Sequence, residues 1–150
     1  MDLSKVIKSE TIKLDMEATT KEEVIQELTE LLFRANAISN KEKFLTDVYH
    51  RESMGTTGIG NGISIPHGKS KFVNKTSIAI GRTKKDIEWG SLDEKPVRFI
   101  ILFAVTEEDK NTTHIQLLAK VASNLGDDDV CANLLIAKSP EEVLDIFSAR

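Results

Sequence analysis

The sequence predicts an α/β (α+β) protein: a single domain over residues 1–150, with a small mixed β-sheet flanked by helices. Residues 97–105, VRFIILFAV, form the apolar run expected of a central strand that is buried on both faces. Between residues 24 and 48 and after residue 112, apolar residues recur instead at helical spacing. Hydrophobic residues at 40% and charged residues at 29% are ordinary values for one globular domain of 150 residues.

The first half of the chain predicts one strand, two helices and two further strands. Residues 5–14 alternate loosely and predict a short edge strand. A capping-box pattern of Thr20 and Glu23 begins the first helix, and Ser39 with Glu42 repeats the signal for a second that ends near Gly55. Residues 63–65 and 76–82 then predict short strands.

The last third predicts three helices. Thr112 or Thr113 caps the first, which Gly126 ends. Either Asp127 or Asp128 caps a second, short helix. The last helix begins with an N-cap serine at 139 and a proline at the first helical position.

Composition limits the function classes. The net charge of −4, without a basic stripe, argues against nucleic acid as a partner. A single cysteine excludes an internal disulfide and suits a reducing compartment. The N-terminus lacks the apolar segment of a signal peptide, and the longest apolar run is far shorter than the ~18 residues of a membrane helix. We therefore expect a cytoplasmic protein without direct membrane insertion.

The stretch GISIPHGKS at 62–70 contains Gly-Lys-Ser, the end of a nucleotide-phosphate loop. That loop needs a first glycine at position 63, which is Ile63, and Pro66 has no N–H to offer phosphate. The glycines at 58, 60 and 62 also miss the dinucleotide-binding spacing, and they follow a helix where that motif follows a strand. We instead expect a loop shaped by positive φ angles or close backbone approach.

His67 is the candidate reactive group in this stretch. A proline before it and a glycine after it hold an imidazole that is partly unprotonated near neutral pH, and so can act as a nucleophile. A phosphoryl group on the ring would need donors, and Arg51, Lys69, His114 and the loop amides of 58–62 are candidates. On its own, a lone histidine beside a proline is more often structural.

Other polar residues favour ordinary roles. His50 is expected at the surface of its helix, Cys131 in the core, and Trp89 in a loop. The three histidines and Glu52 lack the short spacings of a zinc site.

The segment RESMGTTGIGNGISIPHGK at 51–69 resembles the active-site signature of the fructose/mannitol-type enzyme IIA domains of the bacterial phosphoenolpyruvate:sugar phosphotransferase system. That signature joins Arg-Glu, Thr-Gly-x-Gly-x-Gly and Ile-Pro-His. The segments WGSLDEKPVRFIILFAV, THIQLLAKVASNL and SPEEVLDIF are also similar to family segments, so nearly the whole chain is covered. The resemblance implies the enzyme IIA fold.

The resemblance also implies an activity and partners. His67 would accept a phosphoryl group from the phosphohistidine of the carrier HPr and pass it to a cysteine of an enzyme IIB domain of a membrane sugar permease. Arg51 would lie beside the phosphohistidine and His114 would support it, with no metal, nucleotide or other cofactor. Fructose-type transport is favoured. A nitrogen-related regulatory enzyme IIA, whose phosphorylation controls binding to other proteins, is the alternative.

Overall fold

The computed structural model describes residues 3–108 and 113–148, apart from the side chains of Ser4, Thr113 and His114. The strands are β1 (Ile7–Met16), β2 (Gly58–Gly60), β3 (Ile63–Ser64), β4 (His67–Ser70), β5 (Ser77–Ile87) and β6 (Val97–Thr106). The helices are α1 (Lys21–Arg34), α2 (Lys41–Glu52), α3 (Thr113–Leu125), α4 (Asp128–Ile136) and α5 (Pro140–Ser148). This is the α/β architecture with a mixed sheet that the sequence predicts.

β6 is the central strand of the sheet, whose order is β1-β5-β6-β3-β2. It pairs antiparallel with β5 and parallel with both β3 and β4. β4 follows β3 along the same side of β6, because Ile63 pairs with Phe99 and His67 with Phe103. The Pro66 carbonyl between them accepts a bond of 3.0 Å from the Phe103 N–H. His67 therefore opens a strand beside the most buried strand of the protein.

Helices cover both faces of the sheet. On one face, α1 and α2 pack apolar side chains that include Val24, Leu28, Phe44 and Val48 against Ile100, Leu102 and Ala104 of β6. On the other face, α3, α4 and α5 pack Leu117, Val121, Leu134, Val143 and Phe147 against Phe99, Ile101 and Phe103. Alternate residues of β6 thus serve two cores, which explains its unbroken apolar sequence.

Several helix boundaries are set by local side-chain bonds. The Thr20–Glu23 capping box is present, and Asp127 caps α4. For α2 the predicted cap is wrong: Asn40, not Ser39, accepts from the Lys43 N–H at 3.0 Å. The α2 helix also ends at Glu52, before Gly55. Of the two predicted caps for α3, Thr112 lies outside the described residues.

The first strand lies two residues further along the chain than the predicted range of 5–14. β1 runs for ten residues at the sheet edge and pairs in parallel with β5. Two register shifts interrupt the pairing, which accounts for the loose alternation in its sequence. In the described ranges, no helix is long and apolar enough to cross a membrane.

Candidate functional site

His67 is half-buried at the first position of β4. Its ring Nδ1 lies 3.3 Å from the carbonyl oxygen of Ile65. A carbonyl oxygen can only accept a hydrogen bond, so this contact favours the neutral tautomer that has its proton on Nδ1 and its lone pair on Nε2. The Ile65-Pro66 approach thus orients the imidazole through the backbone as well as through the stiff proline.

The neighbouring glycine shows to which face the His67 side chain points. A Cβ atom at Gly68 would lie 2.8 Å from Cγ2 of Val48 and 3.0 Å from Cε1 of Phe44, so its direction is toward α2. Because successive strand residues point to opposite faces, the His67 side chain points to the other face, which α3, α4 and α5 cover. Only a residue without a side chain lets β4 lie this close to α2.

The glycine stretch is a β-hairpin, where the sequence predicts a loop with amides facing the site. β2 and β3 pair antiparallel, and the turn between them has positive φ at Gly60 (101°), Asn61 (56°) and Gly62 (78°). The predicted need for positive φ is therefore confirmed. Two of its amides bond within the protein, Gly58 N–H to Thr56 Oγ1 at 3.1 Å and Asn61 N–H to Asp93 Oδ2 at 3.3 Å.

Gly58 shows the other feature expected of this glycine stretch, a close approach of two backbone segments. A Cβ atom there would lie 2.9 Å from the Cα of Ser91, and the Gly58 carbonyl accepts from the Leu92 N–H at 3.1 Å. The hairpin is therefore attached to the loop between β5 and β6.

Arg51 lies in the last turn of α2, three residues after Val48 and hence on the same side of that helix. Its Nη1 donates to the Gly55 carbonyl at 3.0 Å, and the side chain is partly exposed. This bond uses one of five N–H donors and orients the guanidinium. Since α2 packs on the face of β4 opposite to His67, Arg51 would reach a phosphoryl group around the end of β4.

A buried polar network beside Arg51 is not foreseen from the sequence. Glu52 Oε2 accepts from Thr57 Oγ1 at 2.7 Å, and Thr57 Oγ1 accepts from Trp89 Nε1 at 3.0 Å. The other carboxylate oxygen of Glu52 lies 2.6 Å from Nζ of Lys21, which is also 5.0 Å from the centre of the Trp89 ring. The network joins α1, α2, the hairpin and the loop after β5.

The remaining predicted site residues follow His67 in the sequence. Lys69 is exposed on β4, and the Ser70 hydroxyl accepts from the Phe72 N–H at 3.2 Å. Gly68, Lys69 and Ser70 pair with β6 inside a strand, which is not the geometry of a phosphate loop before a helix. The side chain of His114, in the first turn of α3, lies outside the described residues, and its role stays a prediction.

The predicted positions of His50, Cys131 and Trp89 are confirmed. His50 is exposed, Cys131 is buried, and Trp89 is buried within a loop. Burial raises the pKa of the Cys131 thiol and favours its unreactive, protonated form. In the described part of the chain, no three or more His, Cys, Asp or Glu side chains are arranged to hold a metal ion.

Comparison with known proteins decides the family. The family model for the phosphoenolpyruvate-dependent sugar phosphotransferase system, EIIA 2, matches residues 5–150. The chain belongs to this family. It is 34% identical over 148 residues to the fructose-specific EIIABC component of Bacillus subtilis, a match that covers 99% of the chain and 23% of that relative. The chain thus spans about a quarter of that relative's length.

Two solved structures extend the comparison to three dimensions. The nitrogen regulatory protein IIA-Ntr of Neisseria meningitidis is 30% identical, with a TM-score of 0.87 over 95% of the chain and 97% of that structure. Enzyme IIA for mannitol from Escherichia coli, solved in complex with phosphorylated enzyme IIB, is 27% identical, with a TM-score of 0.81 over 97% and 100%. Sugar-specific and regulatory proteins therefore share the fold.

Proposed function

We propose that the chain is a phosphocarrier that receives a phosphoryl group on His67 from the phosphohistidine of HPr and passes it to the cysteine of an enzyme IIB domain. The observation that carries the proposal is the orientation of the His67 ring, whose Nδ1 contacts the Ile65 carbonyl at 3.3 Å. This contact supports Nε2 as the nucleophilic nitrogen. The single cysteine of the chain and the resemblance favour the cytoplasm as the compartment.

Two displacements at phosphorus make up the cycle. In the first, the Nε2 lone pair of His67 bonds to the phosphorus of the donor, the donor P–N bond breaks, and its electron pair stays on the donor imidazole. In the second, a IIB thiolate bonds to phosphorus, and the electron pair of the His67 N–P bond returns to Nε2. No external oxidant, metal or nucleotide enters either step.

Positive charge near His67 serves both displacements. Phosphoryl transfer passes through a loose transition state, so the protein contributes position and charge stabilisation more than covalent chemistry. The Arg51 guanidinium suits this role, because its fork of donors matches pairs of phosphate oxygens, and the bond to Gly55 fixes its orientation. His114 is proposed to assist from the first turn of α3.

We propose sugar transport, of the fructose type, as the process that this carrier serves. The 34% identity to a fructose-specific component favours it, and so does the likeness of residues 89–105 to fructose-type segments. The second candidate is a nitrogen-related regulatory role, favoured by the TM-score of 0.87 to a nitrogen regulatory protein. Both use the same phosphohistidine, and they differ in the protein that reads it.

Discharge of the phosphorylated protein distinguishes the two roles. We expect the phosphorylated chain to lose its phosphate to the active-site cysteine of a IIB domain of the same organism within seconds to minutes, as measured by mass spectrometry of both proteins. The matched control is the same IIB domain with that cysteine changed to serine. If no IIB domain of the host accepts the phosphate, while the unphosphorylated chain retains a regulatory enzyme or ion transporter, the regulatory role is correct.

A further inference from the structure

A cavity of about 480 Å³ lies at the C-terminal end of α4. Its lining combines three cations with an apolar wall; the residues are Leu14, Arg82, Thr83, Lys84, Arg98, Leu135 and Ile136. The volume is within the range of sites for small molecules, and no carboxylate is among the described residues that line it. It does not include His67 or Arg51, so the proposed phosphotransfer leaves it unexplained.

Arg82 is the central cation of this cavity. It projects from β5 and is partly buried, and its Nη1 donates to the Leu134 carbonyl at 3.2 Å. Among the described residues it forms no ion pair with a carboxylate. Burial and the nearby charge of Arg98 lower the pKa of Arg82, and Glu142 opposes that effect. Glu142 itself accepts from the Lys138 N–H at 2.8 Å.

The other two cations are held at the rim by backbone and acidic partners. Arg98 Nη2 donates to the carbonyls of Thr83 (3.4 Å) and Lys84 (2.7 Å), and its Nε is 3.6 Å from Asp86 Oδ1. Lys84 pairs with the exposed Glu17 at 2.7 Å. These contacts keep two guanidinium groups close together despite their like charge. A half-buried arginine that forms no ion pair among the described residues, and lies near a second arginine, is the arrangement that an anion stabilises.

The apolar side of the cavity further restricts the kind of ligand that would fit. Leu14 of β1 and Leu135 of α4 form part of the wall, and Ile136 is 71% exposed at its mouth. Leu135 also packs near Gly62, whose carbonyl accepts from the Arg98 N–H at 2.9 Å. The cavity therefore shares a wall with the hairpin that leads to His67. Inorganic phosphate alone would leave the apolar wall and the isoleucine uncovered.

We propose that this cavity is a binding site for a small organic anion, a carboxylate or phosphate group joined to an apolar body. The guanidinium groups of Arg82 and Arg98 would bind the oxyanion through their remaining donors, and Lys84 would add charge at the rim. Leu14, Leu135 and Ile136 would cover the apolar part. This site is separate from the phosphorylation site, and its test does not depend on phosphotransfer.

Titration of the full-length protein with phenyl phosphate, followed by amide chemical shifts, tests the proposal. We expect saturable shifts confined to the cavity lining, in the millimolar range for a ligand of about ten non-hydrogen atoms. Inorganic phosphate and phenol, each lacking one half of the probe, should bind more weakly. Arg82→Gln should weaken phenyl phosphate about tenfold or more, the loss expected for one charge-assisted hydrogen bond.

Two further variants keep the test decisive. Lys85→Gln removes the same charge from an exposed side chain outside the cavity lining, and should leave binding unchanged. Ile136→Glu places a negative charge at an exposed position of the mouth, where folding is not at risk, and should abolish binding. Shifts that map elsewhere, equal losses in Arg82→Gln and Lys85→Gln, or undiminished binding in Ile136→Glu would each overturn the proposal.

Discussion

Individual side chains near the site are fixed by partners that are distant in the sequence. Arg51 holds the carbonyl of Gly55, and the adjacent Glu52 joins Lys21, Thr57 and Trp89. A carboxylate with a side chain only 7% exposed needs such partners, because an unpaired buried charge is costly. We infer that this network sets the path of the chain from α2 into the hairpin and so the position of Arg51.

Replacement of Glu52 by glutamine tests the network. The Glu52→Gln change leaves the partly buried Lys21 ammonium without its counter-ion and should lower the free energy of unfolding by about 2–4 kcal/mol. Urea denaturation measures this change in the free energy of unfolding. Glu17→Gln is the matched control. It removes an ion pair with Lys84 in which both side chains are mostly exposed, so the free energy of unfolding should change much less. Equal effects of the two substitutions would contradict a structural role for the buried pair.

The donors around His67 can be ranked by a second pair of substitutions. Arg51→Ala should slow phosphoryl transfer more than Lys69→Ala, because only a guanidinium bonds two phosphate oxygens at once and Lys69 is exposed on β4. Quenched-flow measurement of transfer from phosphorylated HPr gives both rates. Arg51→Lys should restore little of the loss. A wild-type rate in Arg51→Ala would remove this arginine from the proposed site.

At the scale of elements, the site depends on the contact between β4 and α2. Gly68 of β4 lies against Phe44 and Val48 of α2. Because β4 also pairs with β6, the strand fits between β6 and α2 only if this contact is close. The strand order then places His67 at the point where β4 begins. Packing of α2 against β4 thus helps to determine where the His67 ring is presented.

Addition of one methyl group at that contact should disturb it. Gly68→Ala places Cβ 2.8 Å from Val48 Cγ2 and should destabilise the protein by about 1–3 kcal/mol through overpacking. Thermal denaturation measures the effect. A second change, Val48→Ala, should cost less in the Gly68→Ala background than alone, since it removes the clash. Gly126→Ala is the control, because its Cβ would meet its nearest neighbour at 3.5 Å. Additive effects of the pair would exclude the proposed contact.

Local patterns account for the elements that the sequence predicts well. The apolar run of β6, the Thr20–Glu23 capping box and the glycines with positive φ all depend on near neighbours in the chain. The failures involve distant contacts. Ser39 is not the cap of α2, because its backbone N–H and hydroxyl both bond the carbonyl of Phe72, which leaves the cap to Asn40.

The same distinction applies to the site. His67 and Arg51 stand out through the signature at 51–69, whereas no spacing in the sequence links Lys21 or Trp89 to Glu52. Among the apolar residues of the signature, Met54 and Ile59 are exposed and Ile63 is buried. Ile63 is buried because side chains alternate between the two faces of a strand, and the first residue of β3 faces the core under α3, α4 and α5.

At the scale of the whole molecule, the proposed site is at the surface and not in a deep cavity. A cavity of about 660 Å³ lies beside the loop at 86–96, yet neither His67 nor Arg51 lines it. A half-buried histidine, with the apolar Met54 exposed in the same signature segment, suits exchange between proteins, where each partner must dock, transfer and leave. Under the proposed function, the substrate is a phosphorylated protein and not the sugar itself.

The central claim is that His67 Nε2 carries the phosphoryl group. We expect incubation with phosphoenolpyruvate, enzyme I and HPr to add one acid-labile, alkali-stable phosphate, which ³¹P nuclear magnetic resonance should assign to Nε2 of His67. His67→Ala should accept none while keeping the wild-type circular dichroism spectrum and melting temperature. Phosphate on another residue, or undiminished labelling of His67→Ala, would contradict the account.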